Sequence, residues 1–408
     1  MSDSPAKTAG THVSTPLTRA AERRGLIAMF GSTGFELTAV FMFGPLLLFT
    51  LKGRGIDTAA VALFSAAQWL GMALAAPFTS AWVSRIGLRR ALIASGAVPV
   101  ATMLLITLTP WVWLWALASI VGGVAASLRW IVAEATVAEL AGNARRGRVV
   151  GLFEAMVGLT FMLGPALLAV LGTEGRAAEQ ARWVAIGLAA VGLLWSFLVP
   201  RLVHHAHGAS RLGWHGIWDA LRAAPVVMVA GFVGGFFEAG LSGVLPLYGL
   251  ALGFTAALSA LLAAASGLGS SLMMVPAGEL ADRWSLRGVL LGCATVNLIG
   301  CLLLPFVPLL GGLAWLIAFA WGGAGGALYT LAMVEIGHRH QGVALVNATA
   351  VLVLSYTVGG MLAPVLAGSA LQWQPQWGFP LVLSCVGLAG LGAAWRLRPG
   401  SGPAQRRA

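Results

Sequence analysis

A chain of 408 residues that is 58% hydrophobic and only 10% charged is not composed like a soluble globular protein, in which roughly a quarter of residues carry charge. A formal charge of +11 would suit a nucleic-acid partner, but the basic residues cluster in alternate loops between apolar runs, which excludes that partner and points to a lipid bilayer. The three cysteines, Cys293, Cys301 and Cys385, fall inside apolar runs, so neither a disulfide framework nor a zinc site is supported.

In chain order, a polar tail over 1–24 carries Lys7, Arg19, Arg23 and Arg24 and lacks a small-residue cleavage site, so no removable signal is expected. Six apolar runs follow at 25–51, 57–83, 89–109, 111–139, 149–171 and 181–200, each long enough to span a bilayer. A linker over 201–223 contains His204, His205, His207 and His215 without a Cys among them, and is not read as a metal site. Six further runs occupy 224–250, 256–281, 287–307, 311–336, 342–370 and 377–396, and a basic tail over 397–408 closes the chain. One set of loops holds Arg85, Arg89, Arg90, Arg145, Arg146, Arg148, Arg283, Arg287 and Arg339, whereas the alternate set holds only Lys52, Arg54, Arg176 and Arg182. The positive-inside rule then puts both termini in the cytoplasm. Trp111, Trp113 and Trp115 open span 4 and read as an interfacial belt.

The two sets of six runs align. Glu36 in span 1, with Pro45 after it, matches Glu238 in span 7, with Pro246 after it. Gly122-Gly123 in span 4 matches Gly322-Gly323 in span 10, which sets Arg129 against Tyr329; Gly164-Pro165 in span 5 matches Ala363-Pro364 in span 11. Such internal repetition is how secondary transporters are built. The expected fold is an all-α membrane protein of twelve transmembrane helices in two pseudo-symmetric six-helix bundles, 25–200 and 224–396.

The loop Gly278-Glu279-Leu280-Ala281-Asp282-Arg283-Trp284-Ser285-Leu286-Arg287 has a degenerate copy at Ser80-Ala81-Trp82-Val83-Ser84-Arg85-Ile86-Gly87-Leu88-Arg89-Arg90. It resembles the loop between helices 2 and 3 of the major facilitator superfamily. The resemblance implies a gate: Arg85, Arg89 and Arg90 facing Glu134 or Glu139, and Arg283 facing Glu335, with Gly87, Gly278, Asp282 and Arg287 shaping the loops. Gly151, Gly164 and Pro165, and more fully Gly359 and Pro364, resemble the antiporter motif of that superfamily, which implies export by exchange. Arg146-Gly147-Arg148 before span 5 resembles a turn of short twelve-helix bacterial efflux permeases. Glu154, two turns into span 5, is expected to pair with Arg146, Arg148 or Arg129.

Glu36 and Glu238 sit near the bilayer midplane by residue count, where a charged carboxylate costs at least ~2.5–3.5 kcal/mol, so each is a candidate for proton coupling or for holding a cation. In the resembled family spans 1, 4, 7 and 10 line the central cavity. That implies a site of Glu36, Glu238 and Arg129, with Arg129 either receiving an anionic substrate or pairing with Glu36, Glu134 or Glu154. Phe35, Phe237, Tyr248, Tyr329 and Tyr356 are candidates for stacking on a ligand. No phosphate-binding loop, nucleophile elbow or paired-His zinc helix is present, so neither an ATP-driven pump nor an enzyme is expected, and no cofactor or metal. The expected function is proton-coupled export of a small amphipathic molecule by a protein active as a monomer. Its partners would be that substrate, protons and the bilayer, here a bacterial inner membrane suggested by the Ala, Gly and Arg richness. Uptake by symport, uniport, and a receptor or scramblase role stay open.

Overall fold

The computed structural model describes residues 19–200, 222, 225–339 and 342–396. The expected tails before 19 and after 396, and nearly all of the histidine-bearing linker, lie outside the described residues. So do the side chains of Glu139, Arg145, Arg146, Arg148 and Asp282.

Eleven helices make up the described fold: α1 (Arg19–Gly53), α2 (Thr58–Ile86), α3 (Leu88–Leu108), α4 (Val112–Leu171), α5 (Gly175–Ser196), α6 (Pro225–Ala251), α7 (Ala256–Arg283), α8 (Leu286–Leu303), α9 (Leu313–Arg339), α10 (Gly342–Trp373) and α11 (Gly378–Trp395). A 3-10 turn, Leu304–Leu309, extends α8. Helices are imposed by the composition, because a segment apolar on all sides in lipid has to satisfy its backbone internally. Eleven apolar windows among the described residues are long enough to span a membrane, two of them within α4. The twelfth is α6, bent by 50° between Glu238 and Gly243. Pro246 explains the bend, since it has no N–H to offer the carbonyl of Ser242 one turn earlier.

The sequence places a break between spans 4 and 5 at 140–148, and the chain reverses direction there although helical turns continue into it from both sides. A straight helix of 60 residues would be about 90 Å long, three times the ~30 Å hydrocarbon core. The run therefore doubles back, as its contacts with α1 record. Leu140 lies against Gly25 and Arg129 against Glu36; later, the Phe153 ring is 5.3 Å from Phe30 and the Phe161 ring 3.9 Å from Phe41. The first arm descends along α1 and the second climbs it.

The halves repeat in their packing. A Cβ on Gly71 would lie 2.0 Å from the Ile120 carbonyl oxygen, and one on Gly269 1.9 Å from that of Phe319, so spans 2 and 4 touch as closely as spans 8 and 10. Between the halves, α2 packs on α10 and α4 on α7, each the pseudo-symmetric image of the other. At the end of the molecule opposite the arginine loops, the Ala59 N–H donates across the halves to Gln372 Oε1 at 2.8 Å.

The two arginine loops solve one turn differently. Gly87 has φ +83° and ψ 152°, a conformation open only to glycine, and serves as both the end of α2 and the start of α3. Its counterpart Ser285 is extended and caps α8 by accepting from the Gly288 N–H at 3.0 Å. Arg89 then donates to the carbonyls of Val199 (3.1 Å) and Phe197 (2.9 Å), just past α5, and Arg287 to that of Trp395 (3.0 Å), ending α11. Each arginine closes the exposed carbonyl end of the last span of its own half.

One tryptophan departs from expectation. Trp111 and Trp113 are exposed as a belt requires, but Trp115 is 2% exposed. Its indole donates to the Thr109 carbonyl and lies under the Arg54 guanidinium at 4.2 Å, so it is a packing residue.

Candidate functional site: a cleft between the halves

Glu36 and Ser32, one turn apart on α1, face the same neighbour and are both buried. That neighbour is Arg129 of α4, whose Nη1 is 3.0 Å from Glu36 Oε2. The same nitrogen donates to the Leu92 carbonyl at 3.2 Å and to Ser196 Oγ at 3.3 Å, and Nη2 donates to Ser32 Oγ. The Ser32 and Ser196 hydroxyls are themselves 2.6 Å apart. One guanidinium thus ties α1, α3, α4 and α5 together. The ion pair answers the choice that the sequence leaves open: Arg129 takes Glu36 rather than Glu134 or Glu154. Ser32, Ser196 and Leu92 carry no sequence signal, since a serine in an apolar helix most often bonds its own backbone.

Glu238 has the matching position in α6 but a different environment. It is 9% exposed and hydrogen-bonded to the Tyr356 hydroxyl on α10. Among the described residues no Lys or Arg lies within ion-pair distance of it. The Tyr329 and Tyr356 rings are 4.8 Å apart, so the place held by Arg129 in the first half belongs here to an aromatic pair.

Glu238 stands at the junction of two lobes of a cleft between the halves. The larger encloses about 1340 Å³ of free space and is lined by Glu36, Arg129, Glu134, Glu154, Glu238 and Tyr356. The deeper lobe encloses about 950 Å³. Phe41, Trp69 and Phe161 line both. The α1 wall is the stripe Thr33, Glu36, Leu37, Val40, Phe41, Gly44 and Leu47, whose three- and four-residue spacing is the signal that would have found Phe41. Trp130 donates to Glu134 Oε1 at 2.5 Å at an exposed part of the rim.

Of the expected stacking residues, Tyr356 lines the cleft and Tyr329 packs against it. Phe35 is 37% exposed and packs near Trp195 outside the cleft lining. Phe237 is fully buried between Phe236 and Trp321, and Tyr248 is buried with its hydroxyl on the Gln376 carbonyl. Both are core residues because their helix faces turn away from the cleft.

Among the gate residues, Arg85 and Arg90 are exposed, and Arg283 is paired at 3.7 Å with Glu279 of its own helix. Glu335 is fully buried while Arg283 is largely exposed, so that expected pair is not formed in this conformation. A Cβ on Gly278 would meet nothing within 4 Å. In the antiporter-like motif, Gly164 lies against the backbone of Phe41 and Met42, and Gly359 against that of Phe232, so spans 1 and 5 meet as spans 7 and 11 do. Pro165 lines the deeper lobe, and Pro364 lies inside α10.

The sequence profile of the Major Facilitator Superfamily matches residues 29–349 and 227–408. Two similar curated proteins are uncharacterized MFS-type transporters. YfkF of Bacillus subtilis (strain 168) is 22% identical over 358 residues, covering 85% of this chain and 88% of its own. YcaD of Salmonella typhimurium is 26% identical over 348 residues, covering 82% and 85%. Among solved structures, a D-xylose-proton symporter superposes with a TM-score of 0.72 at 16% identity, over 94% of this chain and 99% of its own. The nucleoside transporter NupG gives 0.69 at 12% identity, over 92% and 97%. At such identities the likeness shows the fold alone.

Proposed function

The chain belongs to the Major Facilitator Superfamily, a multi-pass membrane transporter rather than an enzyme, and we propose that it exports a small amphipathic molecule in exchange for protons. The observation that carries this reading is Glu238: a buried carboxylate on the wall of the inter-half cleft, held by a tyrosine and by no base. A carboxylate locked to an arginine keeps its charge through the cycle, whereas one without a base gains and loses a proton as solvent reaches it from alternate sides. Glu36, expected to share that role, is occupied by Arg129, and its task is to hold the first half rigid.

Transport follows from rocking the 25–200 half against the 224–396 half around the cleft. The halves bond at the face opposite the arginine loops, while the rim at Trp130 and Glu134 is exposed. With the positive-inside assignment, this is the state open to the cytoplasm of a bacterial inner membrane. When that side closes, Arg283 exchanges Glu279 for Glu335, and Arg85 approaches the inner end of span 4. Arg89 and Arg287 stay on their helix ends throughout.

Inside-out vesicles carrying a proton gradient, read with a pH-sensitive dye, test the proposal. A substrate should dissipate the gradient, and Glu238→Gln should abolish that response while the protein stays folded. Gradient dissipation undiminished in Glu238→Gln refutes the assignment, and accumulation of substrate against its efflux in growing cells refutes the direction.

A further inference from the structure

We infer that the cleft selects an organic cation with an apolar body, its charged centre placed against Glu238; this rests on the transporter reading and names its substrate class. The cleft wall carries four carboxylates, Glu36, Glu134, Glu154 and Glu238, and a single guanidinium, Arg129. That guanidinium is 3% exposed and engaged by Glu36, Ser32, Ser196 and the Leu92 carbonyl; its buried Nε has no partner among the described residues, but its charge is already matched by Glu36. Glu134, Glu154 and Glu238 line the same lobe, and among the described residues Arg129 is the one Lys or Arg on its wall.

The deeper lobe narrows the class. Glu238 is the one charged residue on its described wall. Ser266 and Ser270 on the same wall are buried, and their hydroxyls have no hydrogen-bond partner among the described residues. Their oxygens lie at the contact with α9, against Gly322 and Gly326. Apart from Ser65, Gln68 and Ser119, the rest of the lining is apolar and aromatic: the Phe41 and Phe161 rings stack at 3.9 Å, and the Trp69 ring meets edge-on, at 5.9 Å, that of Tyr356, which bonds Glu238 from the larger lobe. Aromatic faces around a carboxylate attract a cation and repel an anion of the same shape. An anionic substrate would find no Lys or Arg on this described wall.

The discriminating probes are tetraphenylphosphonium and tetraphenylborate, ions of one shape and opposite charge. Purified protein in detergent is equilibrated with each by dialysis against protein-free micelles, with tryptophan fluorescence as a second readout because Trp69 and Trp130 line the cleft. The phosphonium should bind at least about tenfold tighter, the effect of one close charge in a partly solvated site. Glu238→Gln should remove the preference and Glu238→Asp should keep it, which separates lost charge from lost fold. Equal or tighter binding of the borate overturns the inference, as does a preference that survives Glu238→Gln. If neutral amphipaths discharge the vesicle gradient while the phosphonium neither binds nor does so, the exchange reading stands and the cation assignment falls. If the phosphonium binds through Glu238 but no compound moves protons, the cation site stands and proton coupling falls.

Discussion

Removing Glu36 should unfold the protein more readily than removing Arg129, and removing both should be milder than removing Glu36 alone. Both side chains are at most 4% exposed and meet at 3.0 Å. Taking away one member of such a pair typically costs about 3–5 kcal/mol, because an uncompensated charge stays buried, whereas replacing both by apolar groups is often neutral. The two single losses differ because a stranded carboxyl can take up a proton and a stranded guanidinium cannot release one. Glu36→Leu leaves Arg129 on two hydroxyls and one carbonyl, all neutral, and belongs at the upper end of that range. Arg129→Met belongs at the lower end. The double variant should recover about 2 kcal/mol or more relative to Glu36→Leu, a coupling expected only of residues in direct contact. Survival of monodisperse protein in detergent after graded heating ranks the variants. Losses that simply add would refute the node as a coupled unit. Substrate-driven proton flux that vanishes in a well-folded double variant would return a coupling role to Glu36.

Tyr356→Phe deletes the hydroxyl bonded to Glu238 and should weaken substrate binding by about tenfold, the worth of one neutral-to-charged hydrogen bond at the modest end, measurable by the same dialysis. Gly71→Val and Gly269→Val each drive a side chain into a carbonyl about 2 Å away and should cost at least ~1–3 kcal/mol in the heating assay, whereas Gly278→Ala, with open space around it, should be silent. Gly87→Ala forces a side chain into a glycine-only conformation and should cost about 1–3 kcal/mol, while Ser285→Ala loses only a helix cap, worth ~1 kcal/mol. Equal losses at Gly87 and Ser285 would contradict the different turn geometries.

Much of the fold is legible in the sequence because lipid leaves the chain few options. Twelve apolar runs, an arginine bias in alternate loops, and paired Gly-Gly positions and small-residue-Pro positions about two hundred residues apart carry the architecture without reference to tertiary contacts. The reversal between spans 4 and 5 is legible too, because the polar residues at 140–148 read as a loop; what is not legible is that helical turns continue into that loop. Trp115 escapes for a related reason: a tryptophan at a span's start is a belt residue unless a partner such as Arg54 covers it, and no local pattern announces that partner. Phe237 and Tyr248 share a helix with Glu238, but that helix carries one charged residue among apolar and aromatic ones, so its sequence does not say which of the aromatics share the cleft face.

The pairing of Glu36 with Glu238 in the sequence suggests equal roles, and the two differ because of a third position. Where the first half has Arg129, the second has Tyr329, and that single exchange decides what each carboxylate can do. An arginine within 3.0 Å holds Glu36 in one charge state and fastens four spans into a body that can move as a unit. A tyrosine pair supplies Glu238 with one hydrogen bond but no fixed counter-charge, so its charge is set by whatever the cleft contains. Exchange needs one site whose occupant changes on each turn of the cycle, and a rigid frame on either side of it. A second base-free carboxylate at the first-half position would loosen that frame and let protons cross without substrate. Under the proposed exchange, the asymmetry of the two halves supplies both site and frame, and Tyr329→Arg should give Glu238 a fixed partner and stop exchange while leaving the twelve-span fold in place.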